Sequence, residues 1–408
     1  MVNDGPQRTA AYRNLSIYLL GQALSNIGSF SQIVALSLLV LELTDSGLAL
    51  GATMSVQAIP QLVLSPWAGP LLDRVALRWL LLVTALVGAL QAVSLAALAL
   101  TGQISMPWVI ALALVGGCVQ VFDRPGVQAF LGELVPRTDL HRAVSLASSV
   151  QAFGRLGGPA LAALLYAWLG AGLVFAVNAG SFLLVIIALL ALRAQAMFPR
   201  ERRAAGGGTL MTAVRYAWHA PGLWPILLGN VFVGLFAFNF PTFFATLSTL
   251  TFQQPELFGL AESINAVAAV VTGLLLARYL RQPTVRMVGI ACAALGGTLA
   301  WVAVSPTPAV FLASMPFFGA AVVAYTATAQ SLTQRQAPRE MVGRMMSLFT
   351  LGSMGTTPLG GLIVGAVIDL ASPRAAVGLG AASALVVGLL LILRGDARIR
   401  EPEHVEAP

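Results

Sequence analysis

Residues 14–43 read NLSIYLLGQALSNIGSFSQIVALSLLVLEL, a long and almost uncharged apolar run. A helix needs about 20 predominantly apolar residues to cross a bilayer, so this run is long enough for one crossing. It is too long for the apolar part of a signal peptide and contains no A-x-A cleavage site. We therefore expect a retained transmembrane helix.

Comparable runs continue through the 408 residues, of which 58% are apolar and 10% charged. Soluble domains contain about 25% charged residues, so the composition excludes a soluble enzyme. We predict an all-α membrane protein with twelve transmembrane helices. Beyond the first run, they centre near Val56, Leu86, Val115, Ala152, Leu183, Phe232, Ala269, Ala294, Phe318, Thr357 and Val386.

The reactive side chains exclude several enzyme classes. All 23 basic residues are Arg, so a Lys-containing phosphate loop and Schiff-base chemistry on Lys are both excluded. His141, His219 and His404 lack metal-binding spacing, and Cys118 and Cys292 form no C-x-x-C motif. We expect no enzymatic activity, no cofactor and no metal.

The placement of the arginines predicts the orientation, because short cytoplasmic loops retain positive charge. With twelve crossings and a cytoplasmic N-terminus, nearly all arginines fall on the cytoplasmic side. Arg374 falls outside, and Arg124 and Arg155 fall within spans. We predict that both termini are cytoplasmic. The net charge of +7 then reflects topology, and we expect no nucleic-acid partner.

A charged and glycine-rich segment divides the chain near its middle. We predict an N-terminal six-helix half at 1–193, a cytoplasmic linker at 194–220, a C-terminal six-helix half at 221–394 and a tail at 395–408. The end of the linker predicts a short helix, either on the inner membrane surface or continuing into span 7. Its apolar residues recur at Leu210, Met211, Val214, Ala217 and Trp218.

Two motifs occur twice, about half a chain length apart. Residues 136–146 (PRTDLHRAVSL) are repeated as 338–348 (PREMVGRMMSL), and residues 69–74 (GPLLDR) as 273–278 (GLLLAR). The repeat predicts two halves with the same order of helices. In transporters built this way the substrate site lies near the bilayer midplane between the halves, which rock to give alternating access.

With these repeats, the sequence resembles the major facilitator superfamily over nearly the whole chain. Gly69, Asp73, Arg74 and Arg78 are similar to the family pattern G-x-x-x-D-R-x-G-R-[KR], although Ala76 replaces its second glycine. The resemblance implies that this motif holds a cytoplasmic gate shut, with the acid facing a positive helix N-terminus. The alternative is that the arginines only anchor the topology.

Gly154, Gly158 and Pro159 in span 5 are similar to the G-x-x-x-G-P signature of antiporters in that superfamily. Together with the neighbouring motifs, they resemble the drug and siderophore exporter branch, which includes macrolide and enterobactin exporters. The resemblance implies proton antiport. Pro358 in span 11 looks like the counterpart of Pro159. A role in helix packing alone is the alternative for both sites.

Ionisable groups inside spans are costly, so they are candidates for proton coupling. Glu262 in span 8 is the leading candidate, because an acid in an apolar setting can bind and release a proton near neutral pH. Asp123 and Arg155 are the further candidates; Arg155, near mid-depth in span 5, could also contact an anionic substrate. The alternatives are a solvated vestibule for Glu262, local neutralisation of Asp123 by Arg124, and structural pairing of Arg155.

Amides and aromatic rings within the spans predict a substrate cavity suited to amphiphilic, often cationic compounds. The aromatic residues of span 7 could instead face the lipid and not the cavity. Besides Phe236, they are Phe232, Phe238, Phe240, Phe243 and Phe244. The candidates for the cavity are Gln22, Asn26, Gln32, Gln57, Gln151, Asn178, Asn230, Phe236, Asn239 and Asn265.

The sequence thus predicts a proton-coupled exporter of amphiphilic small molecules in a bacterial inner membrane. It would work as a monomer, because the predicted path lies within one chain. The alternatives are an exporter dedicated to one siderophore or metabolite, a facilitator or importer, and a lipid flippase or non-transporting receptor.

Overall fold

The computed structural model describes residues 5–198, 210–220, 223–280, 282–338 and 341–395. Within these ranges the chain is helical and has no strand. The described parts contain eleven helical stretches that are long and apolar enough to cross a membrane. This confirms a multi-helix membrane protein.

Five helices form the first part of the chain. The last of them, α5, contains two helices that meet at Gly170, whose φ of 73° and ψ of 178° are not helical. Glycine reaches this conformation without the steric penalty of a Cβ atom. The helices are α1 (Gly5–Thr44), α2 (Gly47–Arg74), α3 (Leu77–Leu100), α4 (Met106–Leu134) and α5 (Leu140–Ala191).

Nine further helices follow in the described residues. The first is the short helix expected before span 7; it ends at His219 and is separate from the next helix. The helices are α6 (Leu210–His219), α7 (Leu223–Phe232), α8 (Phe240–Thr246), α9 (Glu256–Tyr279), α10 (Val285–Val304), α11 (Pro308–Gln336), α12 (Val342–Met354), α13 (Thr357–Leu370) and α14 (Pro373–Arg394).

Two prolines account for the interruptions between α7 and α8 and between α12 and α13. Pro241 and Pro358 each stand in the first turn of the second helix. Proline donates no backbone hydrogen bond and clashes with the carbonyl four residues earlier. Those earlier residues are Ala237 and Met354, where the preceding helical segments end. π-helical turns occur at Val233–Ala237 and at Leu247–Thr251.

The chain folds into two compact units. In unit 1, α1 packs along α5, and α3 packs against α4 and α5. Its core includes Tyr18 and Phe130, whose rings meet edge to face at a centroid distance of 5.2 Å. In unit 2, α10 packs against α11 and α14. Unit 1 comprises 1–45, 56–205 and 258–263, and unit 2 comprises 46–55, 206–257 and 264–408.

Candidate functional site

A cluster of ionisable side chains lies inside unit 1. The Thr84 hydroxyl on α3 donates a hydrogen bond to Asp123 Oδ1 on α4 at 3.1 Å. Asp123 also interacts electrostatically with Tyr18 on α1, whose hydroxyl accepts a hydrogen bond from Gln22 Nε2 at 3.0 Å. Three helices therefore contribute to the surroundings of Asp123. Arg124, the next residue, is exposed.

Arg155 lies on α5 among the glycines of the antiporter-type motif. Its guanidinium carbon lies 5.7 Å from the centroid of the Phe30 ring on α1, a cation–π distance. A Cβ atom at Gly158 would lie 2.5 Å from Phe30 Cβ, and one at Gly154 would clash with Asn26. The two glycines thus allow α1 and α5 to approach closely.

An amide chain crosses the interior of unit 1. Asn178 Nδ2 donates to Gln32 Oε1 at 2.7 Å, and Gln32 Nε2 donates to Gln91 Oε1 at 3.1 Å. Gln91 Nε2 in turn donates to the carbonyl of Leu112 at 3.2 Å. Asn178 and Gln91 are buried, so these hydrogen bonds satisfy groups that would be costly to leave unpaired.

Among the described residues, the other predicted amides of unit 1 do not join this chain of hydrogen bonds, although Gln57 lies near it: Gln57 Nε2 and Gln91 Nε2 would each lie 3.6 Å from a Cβ atom at Gly116. The backbone carbonyl of Gln57 lies where a Cβ atom at Gly117 would clash with it. Gln151, four residues before Arg155, is exposed. Of the predicted cavity residues, the structure therefore links Gln32 with Asn178 and places Gln22 beside Tyr18.

In unit 2 the predicted amides brace the interrupted span 7. Asn230 Nδ2 donates to the carbonyl of Phe349 at 2.7 Å, and its Oδ1 accepts from the Tyr325 hydroxyl at 3.3 Å. Asn239 Nδ2 donates to the carbonyl of Leu235 at 2.8 Å. Asn230 and Asn239 are buried and bonded to backbone carbonyls rather than open to solvent. Asn265 is half-buried.

The phenylalanines of span 7 have different surroundings. Phe243 and Phe244 are completely buried in the packing of unit 2, whereas Phe232 is 44% exposed. Phe244 packs edge to face on Phe311 and Phe318, at centroid distances of 5.8 and 5.1 Å. Three rings remain half-buried: Phe236, Phe238 and Phe240.

Glu262 lies in the short part of α9 that belongs to unit 1, close to the motif of span 5. The hydroxyl of the next residue, Ser263, donates to the carbonyl of Leu156 at 3.3 Å. One turn earlier, a Cβ atom at Gly259 would lie 2.5 Å from the carbonyl oxygen of Pro159. Glu262 itself is half-buried.

The surroundings of Gly69 and Asp73 in the gate motif lie outside the described residues. Arg74 is exposed at the end of α2. Arg78 has a structural contact, because its Nε donates to the carbonyl of Leu189 at 3.0 Å and thereby joins α3 to α5.

Sequence reasoning missed four residues that complete these clusters: Tyr18, Thr84, Gln91 and Tyr325. Gln91 carried a usable signal, since it is an amide in an otherwise apolar span, as Gln32 is. The two tyrosines and Thr84 carried none, because such residues are common in spans. Across the described ranges, no group of three metal-ligating side chains occurs.

A family model described as transmembrane secretion effector, of the MFS type, matches residues 5–407. The chain belongs to this family. Its members are membrane transporters and not enzymes. The protein is therefore a multi-pass transporter of small molecules in the lipid bilayer.

Two relatives from bacteria are similar over different shares of the chain. The multidrug efflux pump Tap of Mycolicibacterium fortuitum is 24% identical over 377 residues, which cover 88% of this chain and 90% of that protein. An uncharacterized MFS-type transporter of Bacillus subtilis (strain 168), YfiS, is 27% identical over 278 residues. That match covers 65% of this chain and 64% of YfiS, less than two thirds of its length.

Solved transporters share the fold at low identity. The nucleoside transporter NupG has a TM-score of 0.73 at 14% identity, covering 93% of this chain and 99% of that chain. A peptide transporter of the POT family has a TM-score of 0.73 at 15% identity, covering 93% and 94%. This likeness concerns the fold alone.

Proposed function

We propose that this transporter exports amphiphilic small molecules from a bacterial cell in exchange for protons. It works as a monomer of twelve transmembrane helices in the inner membrane, with both termini in the cytoplasm and alternating access between its halves. The relationship to a multidrug efflux pump over 88% of the chain supports the export direction. The family description, a secretion effector, supports the same direction.

The observation that carries the coupling proposal is the contact between Glu262's helix and span 5. Gly259 and Ser263 contact the backbone of Pro159 and Leu156, which belong to the antiporter-type segment. A proton that binds Glu262 changes the charge next to Ser263, which contacts span 5. A bend in span 5 would alter this contact. An acid inside a membrane is costly to keep charged, which favours a functional role.

The remaining predicted residues take supporting roles in this proposal. Asp123 is the second candidate for the proton, and Asp73 with its neighbours Arg74 and Arg78 closes the cytoplasmic gate. Gly154, Gly158 and Pro159 allow α5 to slide and bend against α1 during the cycle.

The test uses inside-out vesicles and a panel of an acridine dye, a macrolide and a catechol siderophore. We expect accumulation of more than one compound, and its loss when a proton uncoupler is added. Accumulation that ignores the uncoupler contradicts proton exchange. Accumulation of one compound alone supports a dedicated exporter instead, and uptake in the opposite direction supports an importer.

Replacement of the acids identifies the coupling residue. We expect Glu262→Gln to abolish the response to the pH gradient while the protein still binds substrate. The control is Asp139→Asn, which removes an acid that binds the Tyr12 hydroxyl at 2.9 Å beyond the end of α4. If Glu262→Gln retains coupling and Asp123→Asn loses it, the proton is carried by Asp123.

A further inference from the structure

Two arginines lie deep within long apolar helices of unit 1. Arg124 stands about ten residues before the end of α4, or about 15 Å at the helical rise of 1.5 Å per residue. Arg155 lies midway between Leu140 and the Gly170 bend, far from both ends of its helix. Both side chains are exposed within unit 1. Arginine is rare at such a depth and usually faces a polar opening.

Within the described residues, the two arginine charges are only partly compensated. In the described part of the chain, neither guanidinium forms a hydrogen bond or an ion pair, and Arg155 rests on the Phe30 ring. The charges of Arg124 and Arg155 interact with each other, and Arg124 also interacts with Asp123. Two cations and one acid leave a net positive site.

The surrounding side chains are neutral and partly polar. Gln22 and Asn26 are half-buried on α1, four residues apart, and Gln151 lies one turn before Arg155 on α5. Asp123 Oδ1 is engaged by another helix, since it accepts the Thr84 hydroxyl on α3. Five N–H donors on each guanidinium remain available to a ligand.

We infer that Arg124 and Arg155 bind an anionic group of the transported molecule, such as a carboxylate or a phosphate, and that amphiphilic anions and zwitterions are among the substrates. The planar guanidinium matches the geometry of both groups. Phe30 supplies an apolar surface beside the charge. This inference rests on the proposed export function and adds anions to the cationic compounds expected from aromatic residues alone.

The charge of the substrate also affects the driving force. A membrane potential that is negative inside favours the outward movement of an anion and so contributes to its export. Exchange of an anion for a proton would add this contribution to the pH gradient. Asp123, in contrast, competes with the substrate for Arg124 as long as it is charged.

Dansyl-leucine, which has one carboxylate, and its uncharged methyl ester form a matched pair of probes. Their binding to the purified full-length protein is measured by fluorescence in phosphatidylcholine nanodiscs. We expect the wild type to prefer the acid. Arg124→Gln and Arg155→Gln should each raise the Kd of the acid about tenfold, as expected for one lost charge-assisted hydrogen bond. Binding of the ester should be unchanged.

Two further variants separate recognition of charge from a general effect on folding. Asp123→Asn should tighten binding of the acid, because it removes the competing charge, which a merely structural role would not do. Arg278→Gln is the matched control: Arg278 is exposed at the end of α9 and rests on Tyr279 at 5.9 Å. It should bind both probes as the wild type does. Arg155→Lys, which keeps the charge, tests the site if Arg155→Gln does not fold.

The outcomes distinguish this inference from the proposed function. Equal binding of acid and ester, or equal weakening of both by the arginine variants, overturns the anion site even if export is observed. Selective binding of the acid without transport in vesicles supports the site and overturns export. The acid could bind in phosphatidylcholine nanodiscs but not in phosphatidylglycerol nanodiscs, with no binding restored there by Arg124→Gln or Arg155→Gln. That result supports the site and identifies a lipid headgroup as the competing anion.

Discussion

Span 5 in unit 1 and span 11 in unit 2 carry similar glycine and proline residues but have different structures. α5 continues through Pro159 as a helix, whereas span 11 stops at Met354 and restarts at Thr357, just before Pro358. A hydrogen bond next to the break stabilises the interrupted form of span 11. Thr356 Oγ1 donates to the carbonyl of Gly352 at 2.9 Å and compensates a carbonyl left by the interruption.

The two units also differ in their interior chemistry. Unit 1 places an acid, two arginines and several amides between long helices, while unit 2 fills its interior with aromatic rings around broken helices. This difference agrees with the proposed anion site in unit 1, and it makes the packing of aromatic rings around broken helices the distinguishing feature of unit 2. The following variants test this division, beginning with the largest expected effect.

Truncation of Phe244 should have the largest effect, because its buried ring contacts three other rings in unit 2. Phe244→Ala should cost about 3–5 kcal/mol of stability and lower the yield of folded protein. Thermal unfolding in detergent measures the change. Phe232→Ala is the control, since Phe232 is 44% exposed. Equal losses in the two variants would show that the aromatic interior of unit 2 is not a packed core.

A methyl group at Gly158 should have the next largest effect. Its Cβ would lie 2.7 Å from the carbonyl oxygen of Ile27 and 3.0 Å from the amide of Ser31, and backbone atoms yield poorly. We expect Gly158→Ala to cost about 1–3 kcal/mol and to slow transport. At Gly157, a Cβ would lie 3.7 Å from Ile27, so Gly157→Ala is the matched control. If both variants behave alike, the close contact between α1 and α5 is not needed.

The hydroxyl of Thr356 tests the break in span 11. Thr356→Val keeps the shape but leaves the carbonyl of Gly352 without this donor, at a cost of about 1 kcal/mol. We expect a lower transport rate with unchanged substrate binding. Thr350→Val, at an exposed position in α12, is the comparison variant. A wild-type rate for Thr356→Val would show that this hydroxyl does not support the bend.

The smallest effect is expected at Asp369 in unit 2. Its carboxylate caps the start of α2 by accepting hydrogen bonds from the Gly47 amide at 2.6 Å and the Ser46 hydroxyl at 2.6 Å. Asp369→Ala should lower the free energy of unfolding slightly, by about 0.5–1 kcal/mol, because the side chain is exposed. Leu370→Ala, at the neighbouring exposed position, should have no effect, and an equal decrease there would argue against the cap.

Several features were predictable because they depend on local composition. The apolar runs determine the transmembrane helices, and the doubled motifs at 136–146 and 338–348 predict two related halves. The family model over residues 5–407 confirms the transporter superfamily that the short motifs indicated. The interruptions before Pro241 and Pro358 were not predicted, because Pro125, Pro159 and Pro316 also lack an N–H and yet lie inside helices.

The partners of the polar side chains were not predictable from spacing. Gln32 and Asn178 are far apart in sequence, yet Asn178 donates to Gln32, and both were expected only as separate cavity residues. Phe243 and Phe232 look equivalent in the sequence, although one is fully buried and the other is exposed. Helical periodicity indicates the side of the helix on which a residue lies. It does not indicate which other helix packs against that side.

The sequence by itself determined that this is a multi-helix membrane protein, because hydrophobicity over about 20 residues is a local property that decides whether a segment enters the bilayer. Only the tertiary structure decided which ionisable groups share a site. Among the described residues, it placed Asp123 against Thr84 and Arg155 on Phe30. The physical reason is that electrostatic interactions depend on distances between helices, which close packing at glycines such as Gly154 and Gly158 sets.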